Sequence, residues 1–204
     1  MKSLIFCCLF GSFLATAMCM ECEACIGMGK DCNSWTKTCA AHEDTCVTFQ
    51  TEVIAAPVSV TVISKACGVS DTCHLDYMET TLHDKIKVRI KRSCCTGEDC
   101  PLPPFPGLGF QVNQPNGLHC PACIGLFSNE CTEHLVSCRA SENQCLTVTG
   151  KEFGLFFRAL SYKGCATESL CALLKKRFWD GLEDIEVDFK CTPALPPPSL
   201  ASDV

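Results

Sequence analysis

After its first nineteen residues the chain has no further long apolar run, and a membrane span needs roughly 20 consecutive apolar residues. Its last stretch, Pro193 to Val204, is proline-rich and ends in polar residues, whereas a lipid-anchor signal needs a hydrophobic tail of about 10–20 residues. No membrane anchor is expected. Glycosylation sequons are missing too, because Asn33, Asn113, Asn116, Asn129 and Asn143 all fail the Asn-x-Ser/Thr pattern. So are the short motifs of catalysis: there is no Gly-x-Ser-x-Gly, no His-Glu-x-x-His and no phosphate loop. The five histidines, His42, His74, His83, His119 and His134, fall in no nucleophile or metal motif. His42-Glu43-Asp44 is the one dense polar cluster with a histidine, and it reads as a solvated turn before Cys46. An enzyme is not expected, and neither is a cofactor. Positive charge is in short supply, with 17 Lys+Arg against 23 Asp+Glu and a net charge of −6. Phosphate binding needs basic patches, so nucleic acid is excluded as a partner and a basic protein is favoured.

Cysteine is abundant, at 21 residues. Ten of them, Cys22, Cys25, Cys32, Cys39, Cys46, Cys67, Cys73, Cys94, Cys95 and Cys100, set a spacing ruler. Cys120, Cys123, Cys131, Cys138, Cys145, Cys165, Cys171 and Cys191 repeat its first eight marks at offsets of 97 to 99 residues. Chance does not hold eight cysteines in register in this way, so the chain is a tandem repeat of one small module. The start of the chain supplies the oxidising compartment. Met1-Lys2, an apolar stretch from Leu4 to Leu14 and small residues at Ala15 to Ala17 make a signal peptide. Cleavage after Ala17 or after Cys19 fits. Parity favours Cys19, which leaves 18 cysteines, all able to pair, in residues 20–204. An export signal argues for disulfides over zinc, and with every cysteine paired no thiol nucleophile remains. A module of this size buries too little core to stand alone, and each bridge contributes roughly 2–4 kcal/mol.

Strand signals recur in both modules. Val47–Val53 and Ser59–Ser64 are rich in β-branched residues, with Ala55-Ala56-Pro57 as the turn between them. Lys85 to Arg92 alternates basic and aliphatic residues, a half-buried strand with one cationic face. In the second module Leu146–Thr149, Leu155–Tyr162 and Ile185–Lys190 repeat the plan, and Ser169 to Trp179 predicts a short helix.

These cysteine intervals, with the closing Cys94-Cys95-x4-Cys100, resemble the three-finger domain of the lymphocyte-antigen and urokinase-receptor group, related to snake toxins. Two such domains in one secreted chain resemble the gamma-type phospholipase A2 inhibitors. Pro104-Phe105-Pro106-Gly107-Leu108, Pro115 to Pro121 and Ile124 to Phe127 are similar to that family's interdomain region. The ending Phe189 to Leu195 resembles the amphibian sodefrin-precursor-like pheromone proteins instead. The resemblance implies an all-β, small, disulfide-rich fold of two tandem three-finger domains: 20–100, a proline-rich linker 101–119, 120–191, and a tail 192–204. It implies the pairs Cys22–Cys46, Cys25–Cys32, Cys39–Cys67, Cys73–Cys94, Cys95–Cys100, Cys120–Cys145, Cys123–Cys131, Cys138–Cys165 and Cys171–Cys191. The second module lacks the final cysteine pair, so its carboxyl end is expected to be less tied down.

With catalysis set aside, function is expected in surfaces. The implied partner is a secretory phospholipase A2, inhibited in a non-covalent complex, and the chain is expected to be a secreted homo- or hetero-oligomer. The alternative is a secreted signalling ligand or pheromone. The implied contact is Pro104, Phe105, Pro106, Gly107 and Leu108, with Phe110 beside them. Prolines at 101, 103, 104 and 106 stiffen this apolar segment, which lowers the entropy lost on binding. A second candidate is Phe178-Trp179, next to the basic triplet Lys175 to Arg177. Leu155-Phe156-Phe157 is a third, because three successive apolar residues cannot all face inward from a strand.

Overall fold

In a computed structural model the protein is described at residues 20–96, 100, 114–125, 131–153, 157–176 and 186–196, by backbone alone at 151–153, 157–160 and 186–187. The first module contributes three antiparallel hairpins: β1 (Glu21–Met28) with β2 (Trp35–Thr38), β3 (Thr45–Ala55) with β4 (Val58–Gly68), and β5 (Tyr77–His83) with β6 (Ile86–Cys95). The second contributes β7 (Pro115–Gly125), β8 (His134–Arg139), β9 (Glu142–Phe153), β10 (Phe157–Thr167), helix α1 (Glu168–Lys175) and β11 (Glu186–Pro193). Strands expected from their β-branched content are present and run further than the sequence pattern indicated. β7 begins at Pro115, inside the segment assigned to the linker.

The nine disulfides join Cys22–Cys46, Cys25–Cys32, Cys39–Cys67, Cys73–Cys94 and Cys95–Cys100, then Cys120–Cys145, Cys123–Cys131, Cys138–Cys165 and Cys171–Cys191. They gather at the base of each set of hairpins, where Cys22, Cys39, Cys46 and Cys67 form one buried cluster and Cys120, Cys138 and Cys165 anchor another. The end of the second module is held without a final cysteine pair. His119 and Leu195 exchange backbone hydrogen bonds of 2.8 and 3.1 Å, and Ala194 N–H donates to Asn143 at 3.0 Å. This corrects the expectation of a loosely tied carboxyl end at these residues.

One sheet runs through both modules, in the order β11-β9-β10-β5-β6-β3-β4-β1-β2. The crossing is the pairing of β5 with β10, with Thr81 opposite Cys165 and Thr80 opposite Ala166. Gly164 permits this approach. A Cβ there would lie 2.3 Å from the Thr81 carbonyl oxygen, inside van der Waals contact. β5 carries no period-2 pattern, because Met78 to Leu82 are all buried.

Register divides the first-module sheet into two unlike faces. On one, the cross-strand rows are Tyr77–Lys91–Gln50, Glu79–Arg89–Glu52 and Thr81–Lys87–Ile54. On the other they are Met78–Ile90–Thr51 and Thr80–Val88–Val53, continued onto β4 by Val62 and Val60. The cationic face of β6 is the buried one: Lys87, Arg89 and Lys91 are 7%, 2% and 6% exposed, while Ile86, Val88 and Ile90 are only half-buried. Alternation located the strand but not the direction of its faces. The cations are kept inside by partners, Lys87 to Glu79 at 2.7 Å and Arg89 to Glu52 at 2.6 Å.

The main core belongs to neither module alone. Val47, Phe49, Leu75 and Met78 of the first pack with Leu146, Val148, Ala166, Leu170, Leu173 and Leu174 of the second. Helix α1 supplies the last three. The Thr167 hydroxyl caps it by accepting from Leu170 N–H, and Glu168 and Lys175 sit at the ends that suit the helix dipole. It starts one residue before the predicted 169–179 helix and covers its residues 169–175; 177–179 lie outside the described residues.

Candidate functional site

The contact residues expected from sequence, Pro104, Phe105, Pro106, Gly107, Leu108, Phe110, Phe178 and Trp179, lie outside the described residues, as do Leu155 and Phe156; Phe157 is described by its backbone alone. The structure describes their anchors. Cys100 is bonded to Cys95 on the first-module side, and on the second-module side the Gln114 carbonyl accepts from Ala140 N–H at 3.2 Å. Asn116 then donates to the Ala140 and Glu142 carbonyls at 3.1 and 2.8 Å. Ahead of Phe178, Lys176 reaches across to Asp71 of the first module at 2.8 Å.

A polar seam fixes the two modules together. Thr80 donates to the Cys165 carbonyl at 2.7 Å, and its oxygen lies 2.6 Å from the Tyr162 hydroxyl. Thr81 donates to Glu142 at 2.7 Å, and Ser169 to the Tyr77 carbonyl at 2.7 Å. Tyr77 donates to Glu79, which also holds Lys87. Glu142 is fully buried, and burial pushes its carboxyl up to about 7 against the opposing pull of Thr81, the Arg139 N–H and Lys87. Burial likewise raises the Tyr162 hydroxyl and lowers the Lys91 ammonium. No motif marks this seam: Thr80, Thr81, Glu142 and Tyr162 belong to none. The available signal was the closeness of the strand-favouring Tyr77, Thr80 and Thr81.

Reactive side chains are engaged structurally. The Asp44 carboxylate accepts from Ser70 N–H and Oγ at 2.7 and 2.6 Å, which holds it below the usual carboxylate range, and Glu43 accepts from Ala40 N–H at 2.7 Å. The polar cluster at 42–44 is thus a turn clamp. His119 Nε2 lies 3.2 Å from Ser137 Oγ, but its buried Nδ1 meets no carboxylate among the described residues, so nothing orients it as a base. Two close sulfur triplets, Cys22-Cys39-Cys67 and Cys120-Cys138-Cys165, consist wholly of disulfide sulfurs and offer no thiolate to a metal.

What the described surface offers is apolar. Ile26, Met28, Trp35, Val58 and Val60 are 76%, 83%, 61%, 60% and 41% exposed, and all five lie on the first two hairpins. No helix among the described residues is long and apolar enough to cross a membrane.

With this geometry in place, family comparisons decide the kinship. Residues 20–102 match the model of the phospholipase A2 inhibitor family, and residues 116–194 match the u-PAR/Ly-6 domain. The chain is similar to the phospholipase A2 inhibitor 25 kDa subunit of Naja kaouthia, at 96% identity over 91% of this chain and 100% of that one. The chain belongs to the phospholipase A2 inhibitor family. Membership extends to more distant inhibitors: phospholipase A2 inhibitor NAI of Notechis ater is 73% identical over 96% of this chain and 98% of that one, and phospholipase A2 inhibitor PIP of Malayopython reticulatus is 33% identical over 98% and 99%. Family relatives with these names leave the pheromone reading without support. The family is one of inhibitors.

Proposed function

We propose that the chain is a secreted inhibitor that binds secretory phospholipase A2 in a non-covalent complex and does no chemistry of its own. The observation that carries this reading is the 96% identity, over 185 residues, to a protein named as a phospholipase A2 inhibitor subunit. The contact assigned to the enzyme is Pro104-Phe105-Pro106-Gly107-Leu108, supported by Phe110 and by Phe178-Trp179. A proline-stiffened apolar segment suits such docking because little chain entropy remains to be lost. The word subunit in the name of the Naja kaouthia relative supports an oligomer. The net charge of −6 favours encounter with basic isoforms over acidic ones.

The test uses the oxidised chain after signal removal, titrated by calorimetry into acidic and basic secretory phospholipases beside a hydrolysis assay. Submicromolar binding with loss of hydrolysis is expected for a basic isoform. Phe105→Asp with Leu108→Asp is expected to abolish inhibition at unchanged melting temperature. Inhibition that survives the double substitution removes the linker from the contact, and absence of binding across the panel removes the function.

A further inference from the structure

The exposed apolar residues of the first module form one surface. Ile26 and Met28 stand opposite Ser64 and Val62, so they share a face with Val60 and Val58 on β4. Trp35, opposite Ala24, stands on the same side of β1 as Ile26. The face continues over Val53 and Val88 toward Phe49 and Met78. With strands about 4.8 Å apart and same-side residues about 6.8 Å apart, it spans four strands, and the one cation on this side of β6, Arg92, is buried against the Phe49 ring and leaves the exposed part uncharged. Every acid and base of these strands from Gln50 to Glu52 and from Ile86 to Lys91 points to the other face. Its inner end is already an interface, since Phe49 and Met78 pack under α1 and β9 of the second module. Its outer end has no cover among the described residues.

Building on the proposed function, we propose that this outer face is a second contact, one that seats the lipid-facing apolar surface of the phospholipase. An enzyme that works at a lipid–water boundary presents an apolar surface to it. A wide uncharged face matches that chemistry where an ionic patch would not. Trp35 has the character of an interface anchor, and Met28 adapts to an irregular partner surface. The net charge of −6 attracts a basic enzyme to the chain, and the sedimentation arm of the test separates that occupant from a second copy. The surface is continuous with a packed interface of the same sheet, so an apolar neighbour extends a mode of packing the fold already uses.

The experiment compares the full oxidised chain with two neutral variants, Ile26→Thr/Met28→Gln and Trp35→Ser, each altering side chains that are more than half exposed and leaving Phe105 and Leu108 intact. Against a basic secretory phospholipase, calorimetry is expected to show at least tenfold weaker binding for both variants at an unchanged melting temperature. Phosphatidylglycerol vesicles are expected to displace the wild-type chain from the enzyme. A wild-type chain that binds, with variants that keep its Kd within twofold, overturns this face as a contact while leaving the proposed function standing. Binding that survives saturating vesicles overturns the lipid-facing side as its target. If sedimentation shows that the variants lower the oligomer mass without the enzyme, the face is a copy–copy interface and the proposal falls. A wild-type chain that binds no phospholipase removes both readings together.

Discussion

Glu142 shows how a single buried residue ties stability to pH. Its carboxylate joins the modules by accepting from Thr81 at 2.7 Å and closes its own turn by accepting from Arg139 N–H at 2.8 Å. Burial raises it from 4.5 to about 7, with Glu79 adding to the rise and Lys87 opposing it. Between those values the folded chain holds a proton that the unfolded chain has released. Stability is therefore fully present below pH 4.5 and is lost as pH rises through 7, by on the order of 3 kcal/mol. Glu142→Gln removes the titration and keeps an acceptor for Arg139 and a polar partner for Thr81. Denaturant unfolding at pH 5 and pH 8 is expected to show that loss in the wild type and less than about 1 kcal/mol of it in the variant. Equal pH dependence in the two proteins places the titration elsewhere.

Among the elements, β5 and β10 matter most, because two backbone partners there convert two hairpin sets into one sheet. The join depends on Gly164 as much as on hydrogen bonding. Gly164→Ala forces a methyl group to within 2.3 Å of the Thr81 carbonyl, so the strands must part or the backbone must shift. Overpacking of this kind costs about 1–3 kcal/mol, read as a lowered denaturant midpoint, with faster proteolysis near Tyr77–His83 as the local signature. The element scale is also where sequence legibility divides. β3 and β4 were readable from their β-branched residues and β6 from its alternation, and the cysteine ruler set the module plan. β5 was not, since burial on both sides erases alternation. The inward direction of Lys87, Arg89 and Lys91 was hidden for a different reason: a charged face reads as solvated unless the acids that meet it, Glu52 and Glu79, are known to lie across the strand. The linker contact was legible only through resemblance.

At the scale of the whole molecule, a tandem repeat suggests two bodies on a linker, yet the described residues make one. The core cluster draws Val47, Phe49, Leu75 and Met78 from one module and Leu146, Val148, Leu170 and Leu174 from the other. Separating them exposes both halves of that core and leaves Glu142, Tyr162 and Thr81 without the partners that allow their burial. The disulfides do not cross this boundary, since each joins cysteines of one module. Cooperation between modules therefore rests on noncovalent packing, and it has a functional consequence. A fixed relation between the modules holds the apolar face of β1 and β4 and the anchors of the linker in one frame, so the docking proposed above loses little internal freedom. Calorimetry of the oxidised chain is accordingly expected to give a single transition, with calorimetric and van't Hoff enthalpies equal. Gly164→Ala is expected to split that transition in two, the first at lower temperature. Two transitions already present in the wild type, each matching a separately expressed module, contradict a shared core and return the molecule to two independent domains.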